Sequence, residues 1–301
     1  MFEVKKYLEE NQFPNVYYNE PLSKYTTFRV GGKASIFVIP ETKKQIIDLV
    51  TFLKDQEIPF KIIGNASNLL PSDKNFQGVV IKTNKALNKI NIIGEEVVVE
   101  SGYSLVKLAY DMIDYELQGL EFLGGIPGTI GGAVYMNAGA YNKEMKDVIK
   151  NVILLNQEGK LVKMSNQDLQ YAYRHSRLQS IKPLLILEAT LKLEKGKKED
   201  IKALLEKRKE RRINTQPLNY PCGGSTFKNP TGTHAYLLID KAGLRGYSIG
   251  GAKVSCKHCN FIINYNNATS DDIKNLIEYV IKKVYEQTGT VLVPEIEFFN
   301  W

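Results

Sequence analysis

The segment GGIPGTIGGAVYMNAGA, residues 124–140, constrains the fold of this chain more than any other stretch. Six of its 17 residues are glycine, and ordinary sequence follows it, so it is not a low-complexity tail. Glycine lets backbone amides approach a ligand closely and adopt positive φ angles. The segment therefore predicts either a tight turn or a loop that holds a ligand against its backbone.

A second segment of this kind, GNASN at 64–68, follows the predicted strand FKIIG. Successive backbone amides in such loops can cradle a diphosphate. Neither segment contains the Gly-Lys-Ser/Thr of a P-loop, and neither contains GxGxxG within a βαβ unit, so a Rossmann domain is disfavoured. Each loop alone is as compatible with a turn as with a phosphate cradle. Two of them, each placed after a strand, favour a nucleotide cofactor.

Composition and charge narrow the class of protein. The chain has 301 residues, 43% apolar and 24% charged, which is typical of a soluble globular protein with two or three domains. Its net charge of +7 suits anionic partners. The basic run at 207–212 ends a predicted helix and lacks interleaved aromatics, which favours a solvated helix face over a nucleic-acid site.

The location and assembly of the chain are expectations from the same features. No apolar run approaches the roughly 20 residues that span a bilayer. The N-terminal sequence predicts a short amphipathic helix instead of a signal peptide. We therefore expect a cytoplasmic monomer without a membrane or nucleic-acid partner.

Three cysteines, Cys222, Cys256 and Cys259, are an odd number and argue against a disulfide framework. Cys256, His258 and Cys259 resemble half of a zinc site. A structural zinc site needs four ligands, usually as two separated pairs. Buried or idle thiols are the favoured interpretation, and we expect no metal.

Hydrophobic periodicity predicts an α+β fold with mixed strands. The predicted helices cover 1–13, 41–57, 104–117, 132–138, 197–213, 234–242 and 270–289. The predicted strands cover 28–30, 35–39, 60–64, 78–82, 89–93, 96–101, 151–156, 160–164, 183–195, 253–264 and 291–301, the last interrupted by Pro294. Ser104 is the expected N-cap of the helix that begins beside it.

Seven motifs occur in one order: TTFRVGG, IIGNASNLL, GGIPGTIGGAVYMNAGAY, YRHSRL, CGGSTFKNP, GLRGYSIGGAKVSCKHCNFIIN and PEI. Over roughly positions 20–297 the chain resembles the UDP-N-acetylenolpyruvoylglucosamine reductase family. The resemblance implies a vanillyl-alcohol-oxidase-type (PCMH-like) FAD-binding fold of two subdomains, with a C-terminal α+β substrate-binding domain. It also implies noncovalent FAD, NADPH as reductant, and UDP-N-acetylglucosamine enolpyruvate as the substrate reduced for peptidoglycan synthesis.

With this resemblance, the expected domains are an N-terminal helix at 1–20, FAD-binding subdomains at 21–72 and 73–213, a substrate-binding domain at 214–290, and a C-terminal strand at 291–301 that returns to the active site. The motifs also carry over three catalytic roles. Arg174 and Glu295 stabilise an enolate intermediate, and Ser225 supplies a proton. The planar, permanently charged fork of an arginine suits a substrate carboxylate.

The resemblance further implies two sets of binding residues. The cofactor set is Arg29, Gly64, Asn65, Ala66, Ser67, Asn68, Pro127, Gly128, Thr129, Gly131, Gly132, Ala138 and Gly139. The substrate set is Lys228, Asn229, Arg245 and His258. Tyr141 and Tyr171 are compatible with ring stacking and with core packing.

The sequence departs from the family pattern at three places. Ala66 stands where the family usually has glycine, and Glu297 follows PEI where an arginine is common. The short spacing over 230–250 lacks an extra loop, so the chain resembles the shorter, second type of the enzyme.

Two alternatives stay open. One is another FAD-linked oxidoreductase of the same fold that acts on a sugar or hydroxy acid. Several such enzymes attach flavin through a histidine, and none of the three histidines lies in the two glycine-rich loops. The other is a nonenzymatic protein that binds nucleotides or RNA.

Overall fold

A computed structural model describes all 301 residues. The chain forms two compact units, each built from segments that are distant in sequence. The first unit contains residues 1–18, 35–65 and 77–210, and the second contains 19–34, 66–76 and 211–301. None of the helices is both long and apolar enough to cross a bilayer.

The eight α-helices are α1 Phe2–Glu10, α2 Lys43–Asp55, α3 Leu105–Asp111, α4 Ile130–Met136, α5 Leu178–Ile181, α6 Lys198–Thr215, α7 Ala235–Lys241 and α8 Ser270–Thr288. The strands are β1 Val16–Pro21, β2 Lys33–Val38, β3 Phe60–Ile63, β4 Leu69–Pro71, β5 Phe76–Lys82, β6 Ile90–Ile93, β7 Glu96–Glu100, β8 Leu117–Gln118, β9 Gly139–Ala140, β10 Lys143–Glu144, β11 Ile149–Leu155, β12 Leu161–Ser165, β13 Leu185–Lys192, β14 Glu194–Lys195, β15 Ser248–Ile249, β16 Ala252–Val254, β17 Ile262–Asn264 and β18 Glu297–Phe299.

A four-stranded sheet with the order β1-β2-β5-β3 supports the GNASN loop, which follows β3. Strands β3 and β5 pair in parallel, and α2 lies in the connection from β2 to β3. Helix α2 begins with a capping box between Thr42 and Gln45. Its buried stripe, which includes Leu49 and Leu53, packs in one core with Val79 and Ile81 of β5.

A five-stranded sheet with the order β12-β11-β13-β7-β6 supports the glycine-rich segment at 124–140. Helices α3 and α4 contribute Leu108 and Val134 to the core of this sheet, and the glycine-rich segment connects the two helices. The Ser104 cap is confirmed, because its Oγ accepts a hydrogen bond from the Lys107 amide at 3.4 Å.

The second unit packs α7 and α8 against the sheet β15-β16-β17. Helix α8 has a capping box between Thr269 and Asp272 and ends at Gly289, whose φ is +68°. Its buried stripe consists of Ile273, Leu276, Ile277, Val280 and Val284. The sequence therefore predicted this helix correctly from its period and its capping residues.

The segment that carries Ser225 lies extended between two neighbours in the second unit. On one side, the Thr226 amide donates to the Asn260 carbonyl at 2.7 Å. On the other side, the Glu295 amide donates to the Thr226 carbonyl at 2.8 Å. The Asn260 side chain also accepts from the Phe227 amide at 2.9 Å and donates to the Phe227 carbonyl at 2.8 Å. This side-chain amide therefore replaces a peptide partner for the Ser225 segment.

Two predicted strands are wrong. Residues 28–30 form a turn, in which Arg29 has a φ of +57° and Thr26 binds both the amide and the carbonyl of Val30. Residues 253–264 form a hairpin of β16 and β17 instead of one strand, and the connecting loop contains His258.

Other element boundaries also differ from the prediction. Helix α3 ends at Asp111 instead of continuing to 117. The predicted strand at 291–301 is confined to β18, and the prediction at 183–195 corresponds to two strands, β13 and β14. The other predicted helices and strands are confirmed with boundaries shifted by a few residues. The sequence analysis did not identify α5, β1, β4, β8, β9, β10 or β15.

We predict that Asn260→Ala lowers the free energy of unfolding by about 2–4 kcal/mol. The substitution leaves a buried amide and a buried carbonyl of Phe227 without partners, each at a cost of about 1–3 kcal/mol. Denaturant unfolding measures the effect, with Asn266→Ala, at an exposed position, as the matched control. Equal stability of the two variants would contradict this role of Asn260.

Candidate active site

The two glycine-rich loops are in direct contact within the first unit. The Asn65 side-chain amide donates to the carbonyls of Pro127 at 3.1 Å and Gly128 at 3.3 Å. A Cβ at Gly64 would overlap Thr129 Oγ1 and would lie 2.8 Å from Thr129 Cγ2. Only glycine permits this contact. The two loops therefore lie side by side in the first unit.

Several backbone amides in these loops donate no hydrogen bond within the chain. In the first unit they are those of Asn65, Gly128, Thr129 and Gly132, and in the second unit those of Ala66, Ser67 and Asn68. The Asn84 side chain donates to Asn65 Oδ1 at 2.8 Å, while its own buried Oδ1 has no partner. Unpaired amides are strong donors, so these loops suit a ligand rich in acceptor oxygens.

The adjacent glycines Gly131 and Gly132 have different environments. A Cβ at Gly131 would lie 3.0 Å from Ser101 Cβ, and the Gly131 amide donates to the Ser101 carbonyl at 2.8 Å. A Cβ at Gly132 would have Thr129 Oγ1 as its nearest neighbour, at 3.9 Å. Gly131 therefore permits packing against the end of β7, and Gly132 leaves open space beside the loop.

Residues of the TTFRVGG, GNASN and PEI motifs form hydrogen bonds with one another in the second unit. Thr27 Oγ1 donates to the Ser67 carbonyl at 3.4 Å, which joins TTFRVGG to GNASN. The Asn68 side chain donates to the Glu295 carbonyl at 2.9 Å, and the Asn68 carbonyl accepts from the Glu297 amide at 2.8 Å. The loop predicted to hold the cofactor thus fixes the backbone on which a predicted catalytic carboxylate stands.

Arg174 is half-buried in the first unit and is directed toward the segment that follows α4. Its Nη2 donates to the Gly139 carbonyl at 2.8 Å, and its guanidinium lies 5.1 Å from the ring centroid of Tyr173. The Asn137 side chain, fully buried, donates to the Ala172 carbonyl at 2.9 Å. Gly139 itself lies in the β9–β10 hairpin, and Ala138 precedes it. The structure therefore brings Arg174 to the predicted cofactor residues 138 and 139.

Ser225 is half-buried and follows two glycines with separate roles. A Cβ at Gly223 would lie 2.6 Å from Ile296 Cδ1, so this position requires glycine for packing. Gly224 has a φ of +80°, which favours glycine for conformational reasons. The pairing of Thr226 with Glu295 places the backbones of Ser225 and Glu295 on neighbouring extended segments of the second unit.

Three of the four predicted substrate residues contact α7. Asn229 Oδ1 accepts from the Ala235 amide at 3.1 Å, and the His258 ring lies 5.3 Å from that of Tyr236. Arg245 makes a bidentate pair with Asp240, with both distances at 2.8 Å. Lys228 is placed by its amide, which donates to the Val293 carbonyl at 2.9 Å.

Electrostatics distinguish these side chains. The Arg245 guanidinium holds the pKa of Asp240 below its ordinary value, so this arginine already has a counter-ion. Burial lowers the pKa of His258, whose Nδ1 accepts from the Asn260 amide at 3.2 Å. His258 is therefore neutral at pH 7, and we assign the proton to Nε2.

The cysteines are free thiols. Cys259 is buried, and burial raises its pKa to about 11. Its Sγ donates to Asp240 Oδ1 at 3.6 Å, and no group of three His, Cys, Asp or Glu side chains in the chain is arranged to hold a metal ion. Of the other two thiols, Cys222 is half-buried and Cys256 is exposed.

Arg29, another predicted cofactor contact, belongs to the second unit. It lines a polar cavity of the second unit with Tyr220, Pro221, Asn264, Tyr265, Asn267 and Ala268. Sequence reasoning missed this cavity and also missed Asn84, Asn137 and Asn260. The relevant partners are far apart in sequence, and no motif spacing indicated them.

Comparison with known proteins places the chain in a family. A curated UDP-N-acetylenolpyruvoylglucosamine reductase from Caldanaerobacter subterraneus subsp. tengcongensis is 46% identical over 98% of this chain and 96% of the relative. The chain belongs to the UDP-N-acetylenolpyruvoylglucosamine reductase family. The Bacillus subtilis reductase is 41% identical over 100% of this chain and 99% of its own length. The crystal structure of the Thermus caldophilus reductase matches with a TM-score of 0.78 and 31% identity, covering 95% of this chain and 98% of that chain.

Two family models match separate parts of this reductase family member. The model of an FAD binding domain matches residues 34–165, and that of the UDP-N-acetylenolpyruvoylglucosamine reductase C-terminal domain matches 216–299. The first range includes both glycine-rich loops with their unpaired amides. The predicted fold class and the predicted FAD cofactor are thereby confirmed. The loop donors fit FAD, because its diphosphate presents the acceptor oxygens that they lack.

We predict that Gly132→Val yields a folded protein that loses FAD, because its side chain fills space beside the loop without meeting protein atoms. Gly131→Val is the matched control. It forces the side chain against Ser101, so its melting temperature falls even in the apoprotein. Flavin absorbance per protein and thermal unfolding of the apoproteins measure the two effects. A fully flavin-loaded Gly132→Val protein would contradict the proposed position of the cofactor.

Proposed function

We propose that this chain reduces the enolpyruvyl group of UDP-N-acetylglucosamine enolpyruvate to give UDP-N-acetylmuramate, in the cytoplasm, with NADPH as reductant and FAD as a noncovalent cofactor. The observation that carries the proposal is the pairing of the Ser225 segment with the Glu295 segment, fixed by Asn68 of the cofactor loop. A proton donor and a carboxylate thereby stand next to a loop built for a dinucleotide. The family membership of the chain supports the same reaction.

FAD, when bound, supplies a carrier that accepts hydride from NADPH and delivers it to the substrate. The residues of this chain that would hold it are the amides of the two loops, with Asn65 and Asn84 fixing their geometry. Gly132 would leave space for it, and the backbone around Gly139 would lie near it. Ala66 has a φ of +46°, a conformation that glycine, the usual residue of the family at this position, adopts more readily.

The chemistry of the second half-reaction assigns the three catalytic residues. Hydride arrives at the terminal methylene carbon of the enolpyruvyl ether, and negative charge develops on the neighbouring carbon and its carboxylate. The Arg174 guanidinium stabilises that charge, since its fork matches a carboxylate. Glu295 acts on the same intermediate, and Ser225 Oγ delivers the proton to the carbon beside the carboxylate.

The predicted substrate-binding residues differ in whether their charge is already paired within the chain. The Lys228 ammonium makes no ion pair within the chain, whereas Arg245 is neutralised by Asp240. We therefore propose that Lys228 is the stronger electrostatic contact to the UDP group, and that Arg245 binds it with its charge shared. Asn229 and neutral His258 contribute hydrogen bonds.

The domain organisation is part of the proposal. It comprises the N-terminal helix at 1–20, FAD-binding subdomains at 21–72 and 73–213, the substrate-binding domain at 214–290, and the C-terminal strand at 291–301. We also propose a monomer of the shorter, second type without the extra loop, and no membrane or nucleic-acid partner.

The direct test uses the purified, yellow holoenzyme. We expect NADPH oxidation to depend on UDP-N-acetylglucosamine enolpyruvate and to yield UDP-N-acetylmuramate in equal amount, measured by absorbance and mass spectrometry. Rapid reoxidation by oxygen with no response to that substrate would instead indicate an oxidase of the same fold. A colourless protein that retains no flavin after reconstitution would refute both.

For Ser225→Ala, we expect flavin reduction by NADPH at the wild-type rate and flavin reoxidation by substrate slowed by about 10²-fold or more, as for loss of a proton donor. Glu295→Gln should show the same pattern. Stopped-flow absorbance separates the two half-reactions, with Ser248→Ala, an exposed serine of β15, as the control. Equal slowing of both half-reactions would show that Ser225 is not confined to the second.

A further inference from the structure

The segment EFFNW at 297–301 has no role in the reaction described above, although it begins only two residues after Glu295. It is also a place where the sequence departs from the family pattern, since Glu297 stands where an arginine is common. Its first three residues form β18, which pairs in parallel with β4. Strand β4 begins directly after Asn68, so this pairing ties the segment that carries Glu295 to the GNASN loop.

The pairing of β18 with β4 is short. The two strands form a sheet of their own, with three residues in each. The Glu297 amide donates to the Asn68 carbonyl at 2.8 Å at one end, and the Ser72 amide donates to the Phe299 carbonyl at 2.9 Å at the other. An isolated pair of strands is marginally stable in water. The position of the segment therefore depends on contacts beyond the strand pair itself.

Asn300 supplies the first of these contacts. Its φ is +61°, a left-handed conformation that asparagine adopts more readily than most residues. Its side-chain amide donates to the Lys74 carbonyl at 3.1 Å, and its own carbonyl accepts a hydrogen bond from Ser72 Oγ. The Ser72 carbonyl in turn accepts from the Gly32 amide at 2.8 Å. Asn300 thus turns the chain against the segment that follows β4.

Trp301 supplies the second contact. Its Nε1 donates to the Leu70 carbonyl at 3.0 Å, in the middle of β4. Its ring meets that of Phe298 edge to face, with centroids 5.9 Å apart, and Lys274 Nζ of α8 lies 5.2 Å from its centroid. Leu70 is fully buried in the core of the second unit. The indole therefore anchors the segment to a strand that cannot move without disturbing that core.

This anchor acts on Glu295 through the backbone. The Glu295 amide donates to the Thr226 carbonyl at 2.8 Å, and the Glu295 carbonyl accepts from the Asn68 side chain at 2.9 Å. With β18 fixed on β4, the chain is held on both sides of Glu295. A carboxylate on such a backbone has a defined position before substrate binds, which saves orientation entropy in the reaction.

We propose that Trp301 is a positioning residue, which holds the Glu295 carboxylate and the unpaired amides at 66–68 in one arrangement through the β4–β18 pair. The inference rests on the proposed function, which assigns Glu295 to the reacting intermediate. Binding of FAD to those amides is then coupled to the order of the segment 295–301. By thermodynamic linkage, a change that loosens the segment also weakens FAD binding.

Stopped-flow absorbance on FAD-loaded protein tests the role in the reaction. For Trp301→Ala, we expect flavin reduction by NADPH at the wild-type rate and reoxidation by the enolpyruvyl substrate slowed about tenfold, because the carboxylate is present but less well oriented. Trp301→Phe keeps the ring and loses only the bond to Leu70, so reoxidation should slow by about threefold or less. Tyr285→Ala, which removes an exposed ring of α8, is the matched control.

A double-mutant cycle separates positioning of Glu295 from a general loss of structure. If Trp301 acts through Glu295, adding Trp301→Ala to Glu295→Gln should slow reoxidation by much less than it slows the wild type. Additive effects of the two substitutions would overturn the inference. Equal slowing of both half-reactions by Trp301→Ala would overturn it as well.

Hydrogen exchange and FAD titration of the apoprotein test the coupling without turnover. In Trp301→Ala, the amides of residues 295–299 should exchange about tenfold faster, while those of β11 in the first unit should exchange as in the wild type. The Kd for FAD should rise several-fold, with a smaller rise in Trp301→Phe. Wild-type exchange and FAD affinity in Trp301→Ala would overturn the inference. Faster exchange with weaker FAD binding would support it even if the wild type failed to reduce the enolpyruvyl substrate.

Discussion

The contact between Gly64 and Thr129 is the constraint on which the cofactor side of this protein depends. Any side chain at Gly64 would force the two glycine-rich loops apart. Once the loops touch, the Asn65 amide binds the carbonyls of Pro127 and Gly128, while neighbouring backbone amides keep no acceptor. The carbonyl acceptors of Pro127 and Gly128 are thus paired within the protein, whereas several backbone amide donors of the same loops are not. That asymmetry suits a backbone without charged side chains to a ligand rich in acceptor oxygens.

In the second unit, asparagine side chains hold the backbone that carries Ser225 and Glu295, the proposed catalytic residues. The Asn68 side chain donates to the Glu295 carbonyl, its backbone carbonyl accepts from the Glu297 amide, and the Asn260 side chain pairs with both polar groups of Phe227. An asparagine side chain contains one donor group and one acceptor, so it can replace a peptide group where no strand is available. Ser225 and Glu295 gain defined positions although neither lies in a regular element.

The sequence predicted those parts of the fold that depend on local order. Helices α2 and α8 were predictable because capping residues and an apolar stripe occur within a single stretch of chain. Strand β4 was not, because its parallel partner β18 lies more than 200 residues away and its three residues have no period of their own. The three-residue strand predicted at 28–30 failed for a related reason. Its alternation is real, but the Thr26 side chain closes a turn over it.

In the candidate site, too, the residues in contiguous motifs could be predicted, whereas those with distant partners could not. Glycine-rich loops and the residues Arg174, Ser225 and Glu295 are recognisable because each lies in a contiguous motif. The environments of Gly131 and Gly132 are not, because only the approach of Ser101 distinguishes one glycine from the next. Asn84 and Asn260 acquire their roles from partners 19 and 33 residues away, and the Arg29 cavity joins segments separated by 236 residues. No spacing rule connects residues over such separations.

Arg29 and Arg174, two of the predicted site residues, both have a strained backbone conformation. Arg29 and Arg174 both have positive φ, +57° and +52°, which costs a non-glycine residue about 1–2 kcal/mol. In each case hydrogen bonds across the turn impose the conformation, from Thr26 around Arg29 and between Ala172 and His175 around Arg174. A tight turn directs its central side chain outward from a rigid base, so less backbone freedom remains to be lost when the guanidinium binds an anion. The strain is therefore offset by hydrogen bonds within the turn, and each arginine side chain extends from a backbone that is held in one conformation.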